Sequence, residues 1–571
     1  MVDMPGPLRV RWLGRVRYDE ALVLQEALFA NGTESHLLLL EHPHVFTHGA
    51  RAELDKNVLV EPASVGASLV AVNRGGDVTY HGPGQLVGYP ILSLPPKHGQ
   101  ARSGLSDTVA YVRTVEQVVI DSLAELGLPT AGRLADHPGV WIDAEGAEPR
   151  KICAIGVRLS RGRTMHGFAL NVTTDMRYLR DYIVPCGIAD RPVTSLREEG
   201  IDVSMEHVAE VVARHAALAW GGGRAERQDV AWRHRPEDLS PFSRGEGPGE
   251  AVRAAADHGV TAAPVRLLGR LADAGVSGGL AVGTRKPEWL RPKVVHGTEV
   301  LALKHTIRDL RLVTVCEEAG CPNLSDCWAD GTATFMILGE RCTRACGFCL
   351  IDTRKPLDAD LDEPARVADA VCRMGLAHAV ITMVARDDLD DGGAAAVAAT
   401  IAAIRDRSPG TAVEVLVSDF RGEPASIRTV IDAAPDVYNH NLETVARLQR
   451  AVRPSAGYAR SLGTLARAKL AGLTTKSGLI VGMGENDEEV EGALADLAGI
   501  GCDIVTIGQY LRPTSHHLPV ARWVPPDTFR RYAEVGERLG IGHVEASPLT
   551  RSSYHARQAA AAVTPLLLRS D

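Results

Sequence analysis

The sequence has few aromatic residues, no long hydrophobic run and no excess of positive charge. Aromatic residues make up 5% of its 571 residues, too few for a surface that stacks nucleic-acid bases. Lys and Arg number 62 against 71 Asp and Glu, and this net charge of −9 offers no overall attraction for nucleic acid or anionic lipid. Apolar runs such as Leu37–Leu40 and Leu479–Val481 are far below the ~20 residues that span a bilayer. We therefore expect no nucleic-acid partner and no membrane association.

Cysteine is present, and its distribution is uneven. Met1–Arg17 carries Arg and Pro and lacks the apolar core of a signal peptide, which predicts a cytoplasmic protein. In a reducing compartment, cysteines serve as metal ligands or nucleophiles more often than as disulfides. Six of the 10 cysteines lie between Cys316 and Cys349. This clustering indicates a chemical site.

Length and hydrophobic pattern predict two folded halves with a connection between them, because a typical domain has ~150 residues. Residues 1–220 mix strands and helices without strict alternation, which predicts an α+β domain. Residues 221–283 are rich in Gly, Pro and Ala and are predicted to be a domain tail and linker; the alternative is a surface excursion of one large domain. Residues 284–571 include alternating strands and helices, which predicts an α/β domain with ligands at the carboxyl ends of parallel strands.

Three closely spaced cysteines indicate an iron–sulfur site. Cys342, Cys346 and Cys349 form a C-x3-C-x2-C pattern. Three thiolates on one loop can hold three irons of a [4Fe–4S] cube and leave the fourth iron open to a chelating ligand. The alternative is a structural zinc loop, but closed zinc sites use four N or S ligands and this loop offers no fourth at zinc-like spacing.

The loop resembles that of radical S-adenosylmethionine (SAM) enzymes, which share its spacing and an aromatic residue, here Phe348, before the last cysteine. The resemblance implies that the open iron binds SAM and that cleavage of SAM gives a radical able to abstract hydrogen from unactivated carbon. A second triad lies just upstream. One cube cannot use six thiolates, so we expect two clusters, the second on Cys316, Cys321 and Cys327.

From about Arg285 to the C-terminus the sequence resembles lipoyl synthases. Besides both triads, the likeness is carried by Met383–Gly393, Tyr438–Thr444, Gly478–Glu485, Gly508–Thr514 and Arg551–Ala556. It implies a radical SAM partial (β/α) barrel and SAM or substrate contacts from Phe348, Asn439, Asn441, Glu443 and Gly482. It also implies that Ser553, or else Ser552, completes the second cluster. An alkoxide is a harder ligand than a thiolate, which suits a cluster that is consumed as the sulfur donor.

In the first half, a Gly- and Pro-rich loop and two reactive side chains are candidates for a site. The loop Arg74–Gln85 would let the backbone approach a ligand closely. It lacks the Gly-Lys-Ser/Thr end of a P-loop. The alternative interpretation of this loop is a tight hairpin connection. Lys151 begins an apolar strand, and Cys186 lies between Pro and Gly. A thiolate attacks an acyl thioester and a nearby ammonium favours the thiolate, so the two are a candidate nucleophile and base. The alternative for Cys186 is an inert small residue.

These segments resemble octanoyltransferases (lipoyl(octanoyl) transferases), over approximately Leu8 to Gly221. The likeness is carried by Arg74–Pro90, Lys151–Gly156, His166–Val172 and Pro185–Ile188. It implies a fold similar to lipoate- and biotin-protein ligases, an acyl thioester on Cys186 and an acid/base role for Lys151. The implied acyl pocket consists of Arg74, Gly75, Gly76, Asp77, Val78, Thr79, Tyr80, His81, Ala154, Ile155, Gly156, Gly167, Phe168 and Ala169. The family often has Gln where Asp77 stands.

The two resemblances predict consecutive reactions in lipoyl biosynthesis. The first half would move an octanoyl group from acyl carrier protein to a lysine of lipoyl-accepting domains, in 2-oxoacid dehydrogenase complexes and the glycine cleavage H protein. The second would insert sulfur at C6 and C8 of that chain, using two [4Fe–4S] clusters, SAM and an electron donor. Two alternatives stay open for the first half: an ATP-dependent lipoate ligase, which needs no thiol, and a non-catalytic module that binds carrier or acceptor proteins.

Overall fold

The computed structural model divides the chain into two compact units, the amino unit Met1–Trp232 and the carboxyl unit Arg233–Asp571. The structure describes residues 6–49, 52–75, 77–95, 107–135, 137–188, 191–232, 265–281, 284–291, 310, 312–314, 331–514 and 517–563. Four residues with predicted roles lie outside the described residues: Gly76, Cys316, Cys321 and Cys327. In the described ranges, no helix is long and apolar enough to cross a membrane.

The amino unit is built on a seven-stranded mixed sheet. In chain order its elements are β1 (Leu8–Arg15), α1 (Tyr18–Asn31), β2 (His36–Glu41), β3 (Val45–His48), α2 (Leu54–Asn57), β4 (Ser68–Ala71), β5 (Thr79–His81), β6 (Gln85–Ile91), α3 (Thr108–Glu125), β7 (Val140–Ile142), β8 (Arg150–Ser160), β9 (Arg163–Asn171), α4 (Arg177–Arg180), α5 (Met205–Trp220) and β10 (Ala225–Asp229). The main sheet has the order β10-β1-β2-β6-β9-β8-β7, and a small second sheet has the order β4-β3-β5. In the main sheet β1 runs parallel to β10 and β2, and the other pairs are antiparallel. This is the predicted α+β class.

The core of the amino unit forms where α3 and α5 pack on the main sheet. Val115 of α3 and Val208 of α5 are fully buried in one cluster with Leu37 and Leu39 of β2. Alternate residues of a strand point to the same face, so Leu37 and Leu39 lie on the face that these helices cover. Burial of each such side chain contributes roughly 1.5–3 kcal/mol. The antiparallel β8–β9 hairpin extends from this core and carries one wall of the site described below.

The carboxyl unit has the strand–helix alternation of a partial (β/α) barrel. Its elements are α6 (Val265–Asp273), β11 (Val313–Thr314), β12 (Thr332–Ile337), α7 (Glu363–Met374), β13 (His378–Met383), α8 (Ala394–Arg407), β14 (Ala412–Leu416), α9 (Pro424–Asp432), β15 (Val437–Asn439), α10 (Gln449–Val452), α11 (Tyr458–Leu470), β16 (Thr475–Val481), α12 (Asp487–Gly499), β17 (Ile504–Gln509), α13 (Pro526–Arg538), β18 (His543–Ala546) and α14 (Ala556–Val563). Strands β12 to β18 pair in sequence order and in parallel, and β11 pairs antiparallel with β12. The carboxyl ends of the parallel strands therefore lie on one side, where ligands bind in such folds.

The range predicted to be domain tail and linker, 221–283, divides between the units. Strand β10 pairs with β1 of the amino unit, and residues 233–264 lie outside the described part of the chain. Helix α6 follows in the carboxyl unit, where the Leu280 N–H donates to the Val520 carbonyl. The linker boundaries stay a prediction.

Candidate active sites

A cavity of about 260 Å³ in the amino unit brings the predicted nucleophile and base together. The Lys151 ammonium nitrogen lies 3.6 Å from the Cys186 sulfur, although 35 positions separate the two residues. Ten predicted pocket residues line the same cavity: Arg74, Gly75, Thr79, His81, Ala154, Ile155, Gly156, Gly167, Phe168 and Ala169. An ammonium beside a thiol and an apolar wall are suited to forming an acyl thioester.

Three predicted pocket residues lie elsewhere. Val78 and Tyr80 are fully buried in a hydrophobic cluster with Phe46 and Met176. Asp77 points toward helix α2, where its carboxylate accepts a hydrogen bond from the Asn57 side-chain amide at 2.8 Å. These side chains support the loop that carries Thr79 and His81 into the cavity.

Local backbone structure places Lys151 and Cys186. Lys151 is the second residue of β8, and its N–H donates to the Pro192 carbonyl. Cys186 stands in the short turn Pro185–Gly187 with φ of +58°, in the left-handed region that non-glycine residues rarely adopt. The Cys186 N–H donates to the Val78 carbonyl at 2.8 Å.

Six further lining residues were not predicted. Four of them have aromatic or imidazole side chains, Tyr18, Tyr89, His137 and His166, and the other two are Pro138 and Ile188. Burial lowers the pKa of His166 to about 4 and raises the pKa of Tyr18 to about 12, so both are neutral at pH 7. The neighbouring His81 also has a pKa well below its usual value, first because of burial. His166 and Tyr89 lie in segments that carry the family resemblance but were not predicted as pocket residues, whereas Tyr18 carries no local signal.

In the carboxyl unit the cysteine loop follows β12. Burial raises the pKa of Cys346 to about 11 against the opposing charge of Arg453, and Cys342 adds to the rise. Burial, and next the neighbouring Cys346, raise the pKa of Cys349 well above its usual value. Burial also raises the pKa of Cys342. Binding of iron displaces such protons. Within the described ranges, no three Cys, His, Asp or Glu side chains converge on one ion. A cube spreads its thiolates over separate irons, so the donor set fits a cluster.

An arginine between the first two cysteines anchors this loop. The Arg344 guanidinium donates to both oxygens of Asp387 at 2.8 Å and to Asp419 Oδ1 at 2.6 Å. Arg344 is 7% exposed and Asp419 is fully buried. The Arg344 backbone N–H also points to the Cys342 sulfur, at 3.4 Å. Charge-assisted bonds of this kind fix loop geometry strongly.

The predicted SAM contacts lie at the carboxyl ends of neighbouring strands. Asn439 ends β15 and Gly482 follows β16 with φ of +102°. The Oδ1 atoms of Asn439 and Asn441 are buried and accept no hydrogen bond from the described residues, which fits acceptors for hydrogen bonds from a ligand. Glu443 has φ of +67°, and burial raises the pKa of its carboxyl.

Two further predicted residues are half-buried in loops. Phe348 lies in the cysteine loop, and Ser553 lies with Ser552 in the turn between β18 and α14. The triad expected to share the second cluster with Ser553 is outside the described residues, so that ligand set stays a prediction.

Comparisons with known proteins match both units. The lipoyl protein ligase A/B catalytic domain matches residues 17–217. The N-terminal domain of lipoyl synthase matches residues 279–321, and the radical SAM superfamily matches residues 336–497. A bipartite lipoate protein ligase structure from Thermoplasma acidophilum is 20% identical with a TM-score of 0.33, covering 40% of this chain and 88% of that one.

Lipoyl synthases are among the similar relatives. The lipoyl synthase of Rubrobacter xylanophilus is 57% identical over 275 residues, which are 48% of this chain and 86% of that protein. The lipoyl synthase of Mycobacterium tuberculosis is 54% identical over 272 residues, which are 48% of this chain and 88% of that protein. Such enzymes use SAM and two [4Fe–4S] clusters, and the cysteine loop fits this chemistry. The chain therefore belongs to the lipoyl synthase family, with a lipoyl protein ligase A/B catalytic domain fused ahead of the radical SAM domain.

Proposed function

We propose that the chain performs two successive steps of lipoyl cofactor biosynthesis. The amino unit transfers an octanoyl group from acyl carrier protein, through Cys186, to a lysine of a lipoyl-accepting domain. The carboxyl unit then inserts two sulfur atoms at C6 and C8 of that chain. The observation that carries the first step is the 3.6 Å approach of Lys151 to Cys186 at the cavity.

The first step proceeds by two acyl transfers. The Cys186 sulfur attacks the octanoyl thioester, forming a new thioester while the carrier thiol leaves with a proton. The acceptor lysine amine then attacks this thioester, an amide forms and the Cys186 thiol is restored. In the first transfer the Lys151 amine takes the Cys186 thiol proton and passes it to the departing carrier thiolate. In the second transfer it takes a proton from the attacking acceptor amine and passes it to the Cys186 thiolate. The eight-carbon chain would pack against the apolar part of the cavity wall, formed by Ile155, Phe168 and Ala169.

A lipoate ligase is the alternative for the amino unit, and it activates the acyl group as an adenylate. The placement of Cys186 against Lys151 favours the thioester, because a ligase needs no thiol. The test incubates the protein with octanoyl-acyl carrier protein without ATP and measures the acyl adduct by mass spectrometry. We expect the adduct on Cys186 and its loss in Cys186→Ser.

The matched control is Cys153→Ser, since Cys153 is buried two residues from Lys151 and lines no part of the cavity. ATP-dependent modification of acceptor by Cys186→Ser would instead assign a ligase. Binding of carrier or acceptor protein without any acyl transfer would assign a non-catalytic module.

The second step needs radical chemistry, because saturated C–H bonds resist acid–base reactions. SAM on its cluster supplies the hydrogen-abstracting radical, and the second cluster supplies sulfur. Cys342, Cys346 and Cys349 hold the SAM cluster in this proposal, while Asn441 and Glu443 orient SAM. Ser553 completes the site of the second cluster with Cys316, Cys321 and Cys327.

Anaerobic iron and sulfide analysis tests this division of roles. We expect about eight of each per chain, from two cubes. Alanine at Cys342, Cys346 and Cys349 should halve the iron and abolish SAM cleavage. Alanine at the upstream triad should also halve the iron but leave SAM cleavage, with sulfur insertion lost. Loss of SAM cleavage in the second variant would contradict the assignment.

The partners follow from these reactions. We propose acyl carrier protein as the donor, and lipoyl domains of 2-oxoacid dehydrogenases and the glycine cleavage H protein as acceptors. An electron donor for the clusters is also required, and the proposed location is the cytoplasm. Pull-down of octanoylated lipoyl domain by Cys186→Ser, compared with unmodified domain, tests the acceptor class.

A further inference from the structure

The turn that carries Cys186 adopts a conformation that needs support. Cys186 and Gly187 have φ of +58° and +67°, so two successive residues occupy the left-handed region. For Cys186 this conformation is unfavourable by itself and persists only where neighbours hold it. Two backbone bonds tie the turn down: Cys186 N–H donates to the Val78 carbonyl at 2.8 Å, and Val184 N–H donates to the Asn57 carbonyl at 2.9 Å.

One carboxylate connects the two residues that receive these bonds. Asp77 Oδ1 accepts from the Val78 N–H at 2.7 Å, and Asp77 Oδ2 accepts from the Asn57 side-chain amide at 2.8 Å. The same Oδ2 lies 3.2 Å from the place where a Cβ on Gly187 would stand. The carboxylate therefore lies directly against the turn, outside the cavity lining.

We infer that Asp77 and Asn57 form a brace that positions Cys186 against Lys151. Asp77 is thus a positioning residue, not an acyl contact. The inference rests on the proposed function in taking Cys186 as the nucleophile. The brace fixes the anchor points of the turn at residues 57 and 78, and their separation sets the direction of the Cys186 sulfur. Small displacements of reacting groups reduce rates steeply.

A reciprocal exchange of the two side chains tests the brace. Asn57→Asp alone places two carboxylates against each other, and their repulsion should open the brace. Adding Asp77→Asn restores an amide–carboxylate pair with its direction reversed. The control Asp55→Asn makes the same chemical change as Asp77→Asn. Asp55 is an exposed residue of helix α2, which also carries Asn57.

Single-turnover acylation by octanoyl-acyl carrier protein is the main measurement. We expect Asn57→Asp to slow acylation on the order of tenfold with an unchanged KM for the carrier, since neither Asn57 nor Asp77 lines the cavity. The double variant should return to near the wild-type rate, and all variants should unfold at similar temperatures. A wild-type rate in Asn57→Asp, or no recovery in the folded double variant, would overturn the inference.

Alkylation of Cys186 by iodoacetamide separates this inference from the proposed function, because it needs no acyl substrate. It should slow in Asn57→Asp and recover in the double variant. If wild-type protein forms no octanoyl adduct on Cys186 while alkylation follows this pattern, the proposed transfer fails and the brace stands. If the adduct forms and alkylation is equal in all variants, the brace fails and the transfer stands.

Discussion

Lys151 owes its position to a neighbour that has no side chain. Gly139 has φ of +125°, and a Cβ there would lie 2.8 Å from the Lys151 Cε and 2.6 Å from the Cys153 carbonyl oxygen. On another side, the Trp141 ring centroid lies 5.3 Å from the ammonium, and its indole N–H donates to the His137 carbonyl. The ammonium is therefore held beside Cys186 by ring and backbone contacts.

We expect Gly139→Ala to slow acyl transfer about tenfold or more, because the added methyl displaces Lys151. The measurement is kcat for octanoyl transfer together with thermal unfolding. Gly200→Ala is the matched control: Gly200 also has positive φ, +83°, but a Cβ there meets nothing within 4 Å. Both variants carry backbone strain of roughly 1 kcal/mol. Equal activity in the two variants would show that the Lys151 contact is unimportant.

Arg344 gives a second prediction at this scale, in the cysteine loop. Arg344→Lys keeps the positive charge but loses the planar fork that reaches Asp387 and Asp419 together. We expect severalfold faster loss of iron to a chelator under anaerobic conditions. Arg354→Lys is the control, since Arg354 pairs with Asp352 and is more exposed. Iron loss at the same rate in both variants would contradict the anchoring role.

Single residues that a motif carried can be compared with their positions in the structure, while their roles stay predictions. The approach of Lys151 to Cys186 was expected from resemblance, and no spacing rule could have given it, since the contact depends on a turn 35 positions away. The cavity residue Tyr18 was missed because no local pattern marks it, and Tyr89 was missed although it lies in the segment Arg74–Pro90. Asp77 was placed in the pocket loop, and the direction of its side chain toward Asn57 depends on a helix that the sequence did not predict.

At the scale of elements, strong periodic segments were predicted closely. The apolar strand predicted to begin at Lys151 is β8, which begins one residue earlier, at Arg150. Strands β1 and β10 were not predicted. They pair with each other although more than 200 positions separate them. Pairing between strands so far apart in the sequence leaves no local signal, because the partner strand that stabilises each one is not among its neighbours in the sequence.

A buried carboxylate, that of Glu414 on β14, joins four strands of the barrel. One of its contacts is the His378 ring nitrogen of β13, at 3.3 Å. The Lys476 ammonium lies 2.9 and 3.2 Å from the Glu414 oxygens, and the Asn439 amide donates to Glu414 at 2.9 Å. Burial alone would raise the pKa of Glu414, but Lys476 and the hydrogen bonds outweigh it and hold the pKa at about 2. The folded value lies below the unfolded one. This contribution to stability is therefore present above about pH 4.3 and is lost as pH falls toward 2.

We expect the urea concentration at the unfolding midpoint of the carboxyl unit to decrease as the pH is lowered from about 4.5 to about 2.5. Glu414→Gln should remove part of that pH dependence. At pH 7, Lys476→Met leaves the buried Glu414 carboxylate without its ammonium partner and should cost about 3–5 kcal/mol of unfolding free energy. The double variant Glu414→Gln/Lys476→Met should recover much of this loss. An identical pH dependence in Glu414→Gln and the wild type would exclude the pair as its source.

At the scale of the whole molecule, the chain joins two units whose proposed products and substrates match. The amino unit would release an octanoylated acceptor domain, and the carboxyl unit would require that same domain. The division at Trp232 and Arg233 agrees with separate family matches on each side. The sequence predicted two folded halves because composition changes near residue 221, whereas the arrangement of the units leaves no trace in composition or motifs.

The last prediction concerns what the fusion contributes. A tethered second site meets the new product at an effective concentration that reaches millimolar for short flexible linkers. Separate chains ending at Trp232 and beginning at Arg233 meet it only at their bulk concentration. We therefore expect the fusion to convert acceptor domain to the lipoylated form faster than the mixed halves at about 0.1 μM enzyme, with the difference vanishing as concentration rises. Each half alone, assayed on its own substrate, controls for damage by the cut. Equal rates at every dilution would show that the product equilibrates with solvent before the second reaction, and that the fusion serves only joint expression.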